Sequence, residues 1–351
     1  MEFGKRPSNP RNLCYNVGLR QRHFIAVARG RGVCCCTDVG RQGIDHVGHV
    51  KLGSVNELIL DEPRVAAGAG GLRPGRTADA RPPQIRLRGM PVHVLTEDAC
   101  VRFVLDELDA GRGGWVITPN LDHARRWHRD SAFADLCRQA TLVTADGMPL
   151  VWASRLQGTP LPERVAGSNL ISSLSGGAAH SGRAVFLLGG EAGTAAEAAG
   201  VLKDRFPDLR IVGTHYPPFG FEHDKAASEA IVNAITAAQP DIVFVAVGSP
   251  KQERLIAQLR PLLPSAWWLG VGISFSFLAN RVRRAPRWMQ RSGLEWAHRL
   301  AQEPRRLARR YLLQGLPFAV GLLTASAWTG LRNRWKVGVI DEEITPRPDN
   351  N

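Results

Sequence analysis

From residue 84 onward, short apolar runs alternate with stretches whose apolar positions recur at helical spacing. A strand is predicted near residues 85–94 and a helix over 97–108. The segment GWVITPN reads as a buried strand running into a loop, with residues 121–140 following as one helix. TLVTADG repeats the strand-to-loop pattern, and PLVWASRL starts another helix. RAVFLLGG, LRIVGTHY, DIVFVAVG and WWLGVGIS are further β-branched or aromatic runs, each ending near glycine. Strands buried on both faces read as continuous apolar runs, so the predicted fold is α/β. It is a Rossmann-like, mostly parallel sheet with helices on both faces.

The pattern also divides the chain. Residues 1–83 are rich in Arg and Gly, carry a Cys-Cys-Cys run and lack sustained periodicity, so a poorly ordered extension is expected there. A start at Met90 would omit all of it. Residues 84–280 form the α/β core, 281–335 a basic and apolar appendage, and 336–351 a mobile tail. Residues 311–331 are almost free of charge and just long enough to cross a bilayer. Three readings stay open for them: an interfacial helix, a membrane span, and a buried helix or contact in a homo-oligomer. Gln314, Gly315 and Pro317 interrupt the start of the stretch and basic residues flank both ends, so its orientation is poorly specified; peripheral attachment is expected.

Composition narrows the partners. With 351 residues and 44% hydrophobic content, the chain can form one large α/β domain or two modest ones. Forty-five Lys and Arg against 32 Asp and Glu favour polyanions: nucleic acid, anionic headgroups or diphosphates. Of the cysteines, Cys14, Cys34, Cys35 and Cys36 crowd the start, while Cys100 and Cys137 fall in the core region. The absence of a Cys-x-x-Cys pair points to neither a zinc site nor a disulfide framework. No secretory signal opens the chain, so a cytoplasmic location is expected.

In parallel sheets, ligands bind beyond the carboxyl ends of the strands, where chemistry is to be sought. Thr118-Pro119-Asn120 brings a hydroxyl and an amide to one loop tip; Asn120 is equally suited to cap the next helix. Asp146-Gly147 fits a plain turn, yet a carboxylate there could take a proton from an acceptor hydroxyl. Gly189 and Gly190 precede a helix whose N-terminus could cradle a diphosphate, although their spacing matches neither GxGxxG nor the Walker pattern. In GSPKQE, Pro250 and Glu253 suit a helix start, while Lys251 and Gln252 are less easily explained that way. His123 and His128 read as surface or packing residues, and Trp267-Trp268 as core.

Thr118-Pro119-Asn120, Ala145-Asp146-Gly147-Met148-Pro149-Leu150, Arg164-Val165-Ala166-Gly167-Ser168-Asn169-Leu170, Phe186-Leu187-Leu188-Gly189-Gly190, Gly248-Ser249-Pro250-Lys251-Gln252-Glu253, Arg284-Ala285-Pro286 and Gly293-Leu294-Glu295-Trp296 occur in one order. In that order the chain resembles the WecG/TagA/CpsF glycosyltransferases, from about residue 85 to at least 310. The resemblance implies an inverting, metal-independent transferase without a cofactor. It would move an N-acetylmannosamine-type sugar or glucose from a UDP-sugar donor to a polyprenyl-diphosphate-sugar acceptor at the inner membrane surface.

It also implies residue roles. Asp146 would be the general base, Thr118 and Asn120 would position the sugars, and Arg164 and Gln252 would hold the donor or its diphosphate. Gly189, Gly190 and Lys251 would line the same substrate site. Arg299, Arg306 and Arg309 would reach from the appendage to the acceptor diphosphate. The absence of a DxD pair after a strand agrees with metal independence. The chain departs from the family pattern at Phe275-Ser276 and Ala279-Asn280, where Phe-Asp and Ala-Gly are usual. Rival readings are a nucleic-acid-binding protein, suggested by the charge, and a dinucleotide-dependent oxidoreductase, which lacks its glycine fingerprint.

Overall fold

The computed structural model describes residues 81–341. Most of the extension expected over 1–83, and residues 342–351 of the expected tail, lie outside the described residues.

Six parallel strands build the main sheet: β3 (Gly114–Ile117), β4 (Leu142–Val143), β5 (Ala184–Gly189), β6 (Arg210–His215), β7 (Ile242–Ala246) and β8 (Trp267–Gly270). Their spatial order is β4-β3-β8-β7-β5-β6, so the expected α/β architecture holds. Alternate side chains serve opposite faces. Trp115, Ile117, Phe186, Leu188, Val243, Val245 and Trp268 join one core, and Val116, Val185, Leu187, Ile242, Phe244, Trp267 and Leu269 the other.

Helices cover both cores. On the first lie α2 (Leu121–Arg129), α3 (Ser131–Arg138), α4 (Met148–Leu156), α7 (Lys225–Ala238) and α8 (Lys251–Leu259). On the second lie α1 (Glu97–Asp109), α5 (Gly167–His180), α6 (Thr194–Arg205) and α9 (Ser274–Leu278). Cys100 and Cys137 are buried free thiols within these two cores.

Two expectations fail locally. The single strand near 85–94 is a hairpin, β1 (Gln84–Leu87) against β2 (Met90–His93). Arg88 and Gly89, at φ +47° and +84°, reverse the chain in a two-residue turn that follows the twist of the strands. The expected helix over 121–140 is broken at Asp130, whose extended backbone ends α2 and whose carboxylate accepts from Phe133 N at 3.0 Å to start α3.

The C-terminal part continues as α10 (Arg287–Arg291), α11 (Glu295–Gln302), α12 (Pro304–Ala308), a π-helical turn (Arg309–Gly315) and α13 (Leu316–Asp341). Gln314, Gly315 and Pro317 do not end the helix. Leu316 N donates five residues back to Tyr311 O, and the widened turn absorbs the proline's missing donor. Pro304–Asn333 is long and apolar enough to cross a membrane by length and composition, and 17% of its most apolar window is buried. Leu313, Leu316, Val320, Trp328 and Leu331 are exposed, while Leu322 and Ser326 face inward. α13 packs on α4 so closely that a Cβ on Gly330 would lie 2.2 Å from Leu156 O.

Candidate active site

The loops after β3 and β4 are stitched into one edge. Asp146 N donates to Pro119 O at 2.8 Å, and Val165 N donates to Ala145 O at 2.9 Å. These bonds bring Asp146, Arg164 and the Thr118–Asn120 loop together. Thr118 is buried, and its hydroxyl lies 3.0 Å from where a Cβ on Gly167 would fall, at the start of α5.

Asp146 stands in a charged cluster. Arg164 Nη1 is 3.4 Å from Asp146 Oδ1 and 3.1 Å from Glu295 Oε2 on α11. Arg284 Nε is 3.7 Å from Glu295 Oε1, and Arg284 Nη2 donates to Ser168 Oγ at 2.8 Å and Asn169 Oδ1 at 2.5 Å. The result is a chain of carboxylate, guanidinium, carboxylate and guanidinium along the sheet edge. Burial pushes the Asp146 carboxyl up to about 6, and the like charge of Glu295 adds to this, against the opposing pull of Arg164, His123 and Arg284. A carboxylate with its affinity for protons moved towards neutrality is suited to general-base work. A quarter of its side chain remains exposed, so a hydroxyl can reach it.

Asn120 combines both readings left open by its position. Its Oδ1 accepts from Asp122 N at 3.0 Å and His123 N at 3.2 Å, capping α2, and lies 2.9 Å from His123 Nδ1. The amide nitrogen takes no part in the cap. Gln252, on the first turn of α8, is buried: its Nε2 donates to Glu253 Oε1 at 2.9 Å and its Oε1 accepts from Gly272 N at 3.2 Å. Gln252 therefore clasps the loop after β8.

Gly189 and Gly190 owe their identity to packing. At Gly189, φ is +109° and a Cβ would lie 2.8 Å from the Ala246 carbonyl carbon; Gly190 N donates to Ala246 O at 2.8 Å. Lys251 is directed to the loop after β6, where it pairs with Glu222 and lies 5.1 Å over the Phe219 ring. Among the appendage arginines, Arg299 shares the Phe277 ring with Arg284, at 6.0 and 5.9 Å from its centroid. Arg306 is 63% exposed and bound to Glu303 at 2.5 Å, and Arg309 is exposed, so neither is drawn into the Asp146 cluster.

The family departures have local explanations. Asn280 sits at φ +54°, a region where Asn is among the best-tolerated residues after glycine. Ser276 O accepts from Arg281 N at 3.0 Å and Val282 N at 3.2 Å, which shapes the turn leading to Arg284. Sequence reasoning missed Arg284 and Glu295 as site residues, although both lie in motifs it quoted. His123 and Glu253 were set aside as packing and helix-start residues; their pairing across 130 positions left no local signal.

The model of the "Glycosyl transferase WecG/TagA/CpsF family" matches residues 85–332. A protein of Bacillus spizizenii named N-acetylglucosaminyldiphosphoundecaprenol N-acetyl-beta-D-mannosaminyltransferase is 34% identical over 202 residues, covering 58% of this chain and 76% of its own. A protein of the same name from Bacillus subtilis (strain 168) is 32% identical over 202 residues, with 58% and 77% covered. The match spans the whole charged edge, from Thr118 through Asp146 and Arg164 to Glu295, and the chain belongs to the WecG/TagA/CpsF family of glycosyltransferases.

Proposed function

We propose that this glycosyltransferase moves an N-acetylmannosamine-type sugar from a UDP-sugar to a polyprenyl-diphosphate-linked sugar, with inversion and without a metal ion. The transferred sugar and the acceptor follow the names of the two Bacillus relatives; the UDP donor follows from the family resemblance, which also accommodates glucose as the sugar. The observation that carries the mechanism is the partly exposed Asp146 carboxyl, raised to about 6 at the strand edge beside Arg164.

In this reading the ionised Asp146 takes the proton of the acceptor hydroxyl as its oxygen bonds to the anomeric carbon. The bond from that carbon to the donor diphosphate breaks on the opposite face, and the nucleoside diphosphate leaves with the electron pair. Arg164 and Arg284 are fixed guanidiniums at this edge, suited to offset the charge that grows on the leaving group. Thr118 and Asn120 position the sugars and Gln252 shapes the donor side, while Gly189, Gly190 and Lys251 build the surrounding wall. Arg299, Arg306 and Arg309 serve the acceptor diphosphate where the appendage meets the membrane. The exposed apolar residues of α13 support peripheral attachment to a membrane, and the cytoplasmic leaflet is the side this reading assigns.

The test is UDP release from a panel of UDP-sugars with a short-chain lipid-diphosphate sugar, in EDTA, comparing the natural protein with Asp146→Asn. Acceptor-dependent release that survives EDTA and collapses in the variant supports the mechanism. Equal release by the variant removes Asp146 as base, and loss of release in EDTA removes metal independence.

A further inference from the structure

His123 lies on the first turn of α2 and Glu253 on the first turn of α8, at 8% and 1% exposure. Burying a carboxylate is costly unless other groups hold it. His123 Nε2 lies 3.3 Å from Glu253 Oε1, which also accepts from Gln252 Nε2 at 2.9 Å. Glu253 Oε2 has no partner among the described residues, so Oε1 carries the contacts. Burial drives the Glu253 carboxyl upward, yet the bond and charge of His123 and the bond from Gln252 outweigh it and hold the group below its ordinary value.

The pair has two ends. On the His123 side, Nδ1 meets Asn120 Oδ1 at 2.9 Å, an oxygen already locked by two backbone N–H groups. Both ring nitrogens thus face oxygens able to accept a hydrogen bond. On the Glu253 side, Gln252 is turned so that its Oε1 receives Gly272 N. Phe133 on α3 flanks the His123 ring at 6.1 Å; the charge of His123 is felt at Asp146, and the Cys137 thiol feels Glu253.

We propose that the buried His123–Glu253 pair is a positioning device for sugar transfer: it fixes the Asn120 carboxamide with its nitrogen free for substrate, and through Gln252 ties the loop after β3 to the loop after β8. This rests on the reading above that substrates bind at this strand edge. Neither residue touches the reacting atoms in this scheme. Misplacing a positioning group by about 1 Å can lower a rate about 100-fold.

The experiment uses the full chain with His123→Ala, Glu253→Gln, Asn120→Ala and the double variant Asn120→Ala/His123→Ala. Kinetically, His123→Ala and Glu253→Gln should lower kcat by about 10- to 100-fold with little change in donor KM. The double variant should lose less than the product of the two single losses, because both changes remove the Asn120 function. In peptide-level hydrogen exchange, His123→Ala should loosen residues 270–274 as well as 118–124, leaving β5 and β7 peptides protected. Multiplicative losses in the double variant, or loosening confined to 118–124, overturn the proposal. If His123→Ala does not fold, His123→Gln, which keeps one donor, takes its place in both arms. A natural protein that turns over no donor overturns the transferase reading alone, because the exchange arm needs no turnover and still decides on the pair.

Discussion

Arg164 faces Asp146 at 3.4 Å while lying closer, at 3.1 Å, to a second carboxylate, Glu295 of the appendage. The guanidinium is therefore shared, and Asp146 receives only part of the stabilisation that an undivided arginine would give it. This division helps to explain why burial prevails and the Asp146 carboxyl sits near 6 instead of below 4.

The first prediction concerns rate and pH. General-base catalysis contributes about 10²- to 10⁴-fold, so Asp146→Asn should lower kcat by that order. In the natural protein, kcat/KM should fall as pH drops through about 6, where the carboxylate takes up its proton. Initial rates between pH 5 and 8 check both.

Stability should respond in the opposite sense. The folded Asp146 value lies above the ordinary 3.8, so the fold favours the protonated form. Its contribution is fully present below about 4 and is lost as pH rises through about 6. Asp146→Asn should therefore melt at or above the natural protein at pH 7.5, with the difference shrinking towards pH 4. Thermal melts across that range test the sign.

Glu295→Gln should move the acid limb of the rate profile to lower pH. The substitution removes a like charge near Asp146 and leaves Arg164 with one carboxylate instead of two. A limb that stays in place, measured on the same substrates, would show that Glu295 does not tune the base.

Gly330→Leu should destabilise the appendage, because no side chain fits where a Cβ would meet Leu156 O at 2.2 Å. Overpacking of this kind costs about 1–3 kcal/mol. Limited proteolysis should cut α13 sooner in the variant while α5 and the sheet stay resistant.

Most of the fold could be read in the sequence because the inner strands of the main sheet are buried on both faces and so appear as unbroken apolar runs, as in Phe186–Leu188 and Val243–Val245. Boundaries set by one residue were harder. Arg88-Gly89 carries no familiar hairpin dipeptide, and Asp130 breaks a helix that its neighbours would continue. At the site, Asp146 and Arg164 lie in contiguous motifs and stood out. The bonds of Arg284 to Ser168 and Asn169, and of His123 to Glu253, join positions 115 or more apart, so only folding discloses them.

α4 begins directly after Asp146-Gly147 and ends at Leu156, whose carbonyl lies against Gly330 of α13. Its first residue, Met148, also lies under the turn at Gly293, where a Cβ would be 2.6 Å from the Met148 Cβ. One nine-residue helix thus has the base at its head and the apolar arm at its foot. The arm and the base are thus joined through one short element, with Met148 against the Gly293 turn at one end and Leu156 against Gly330 at the other.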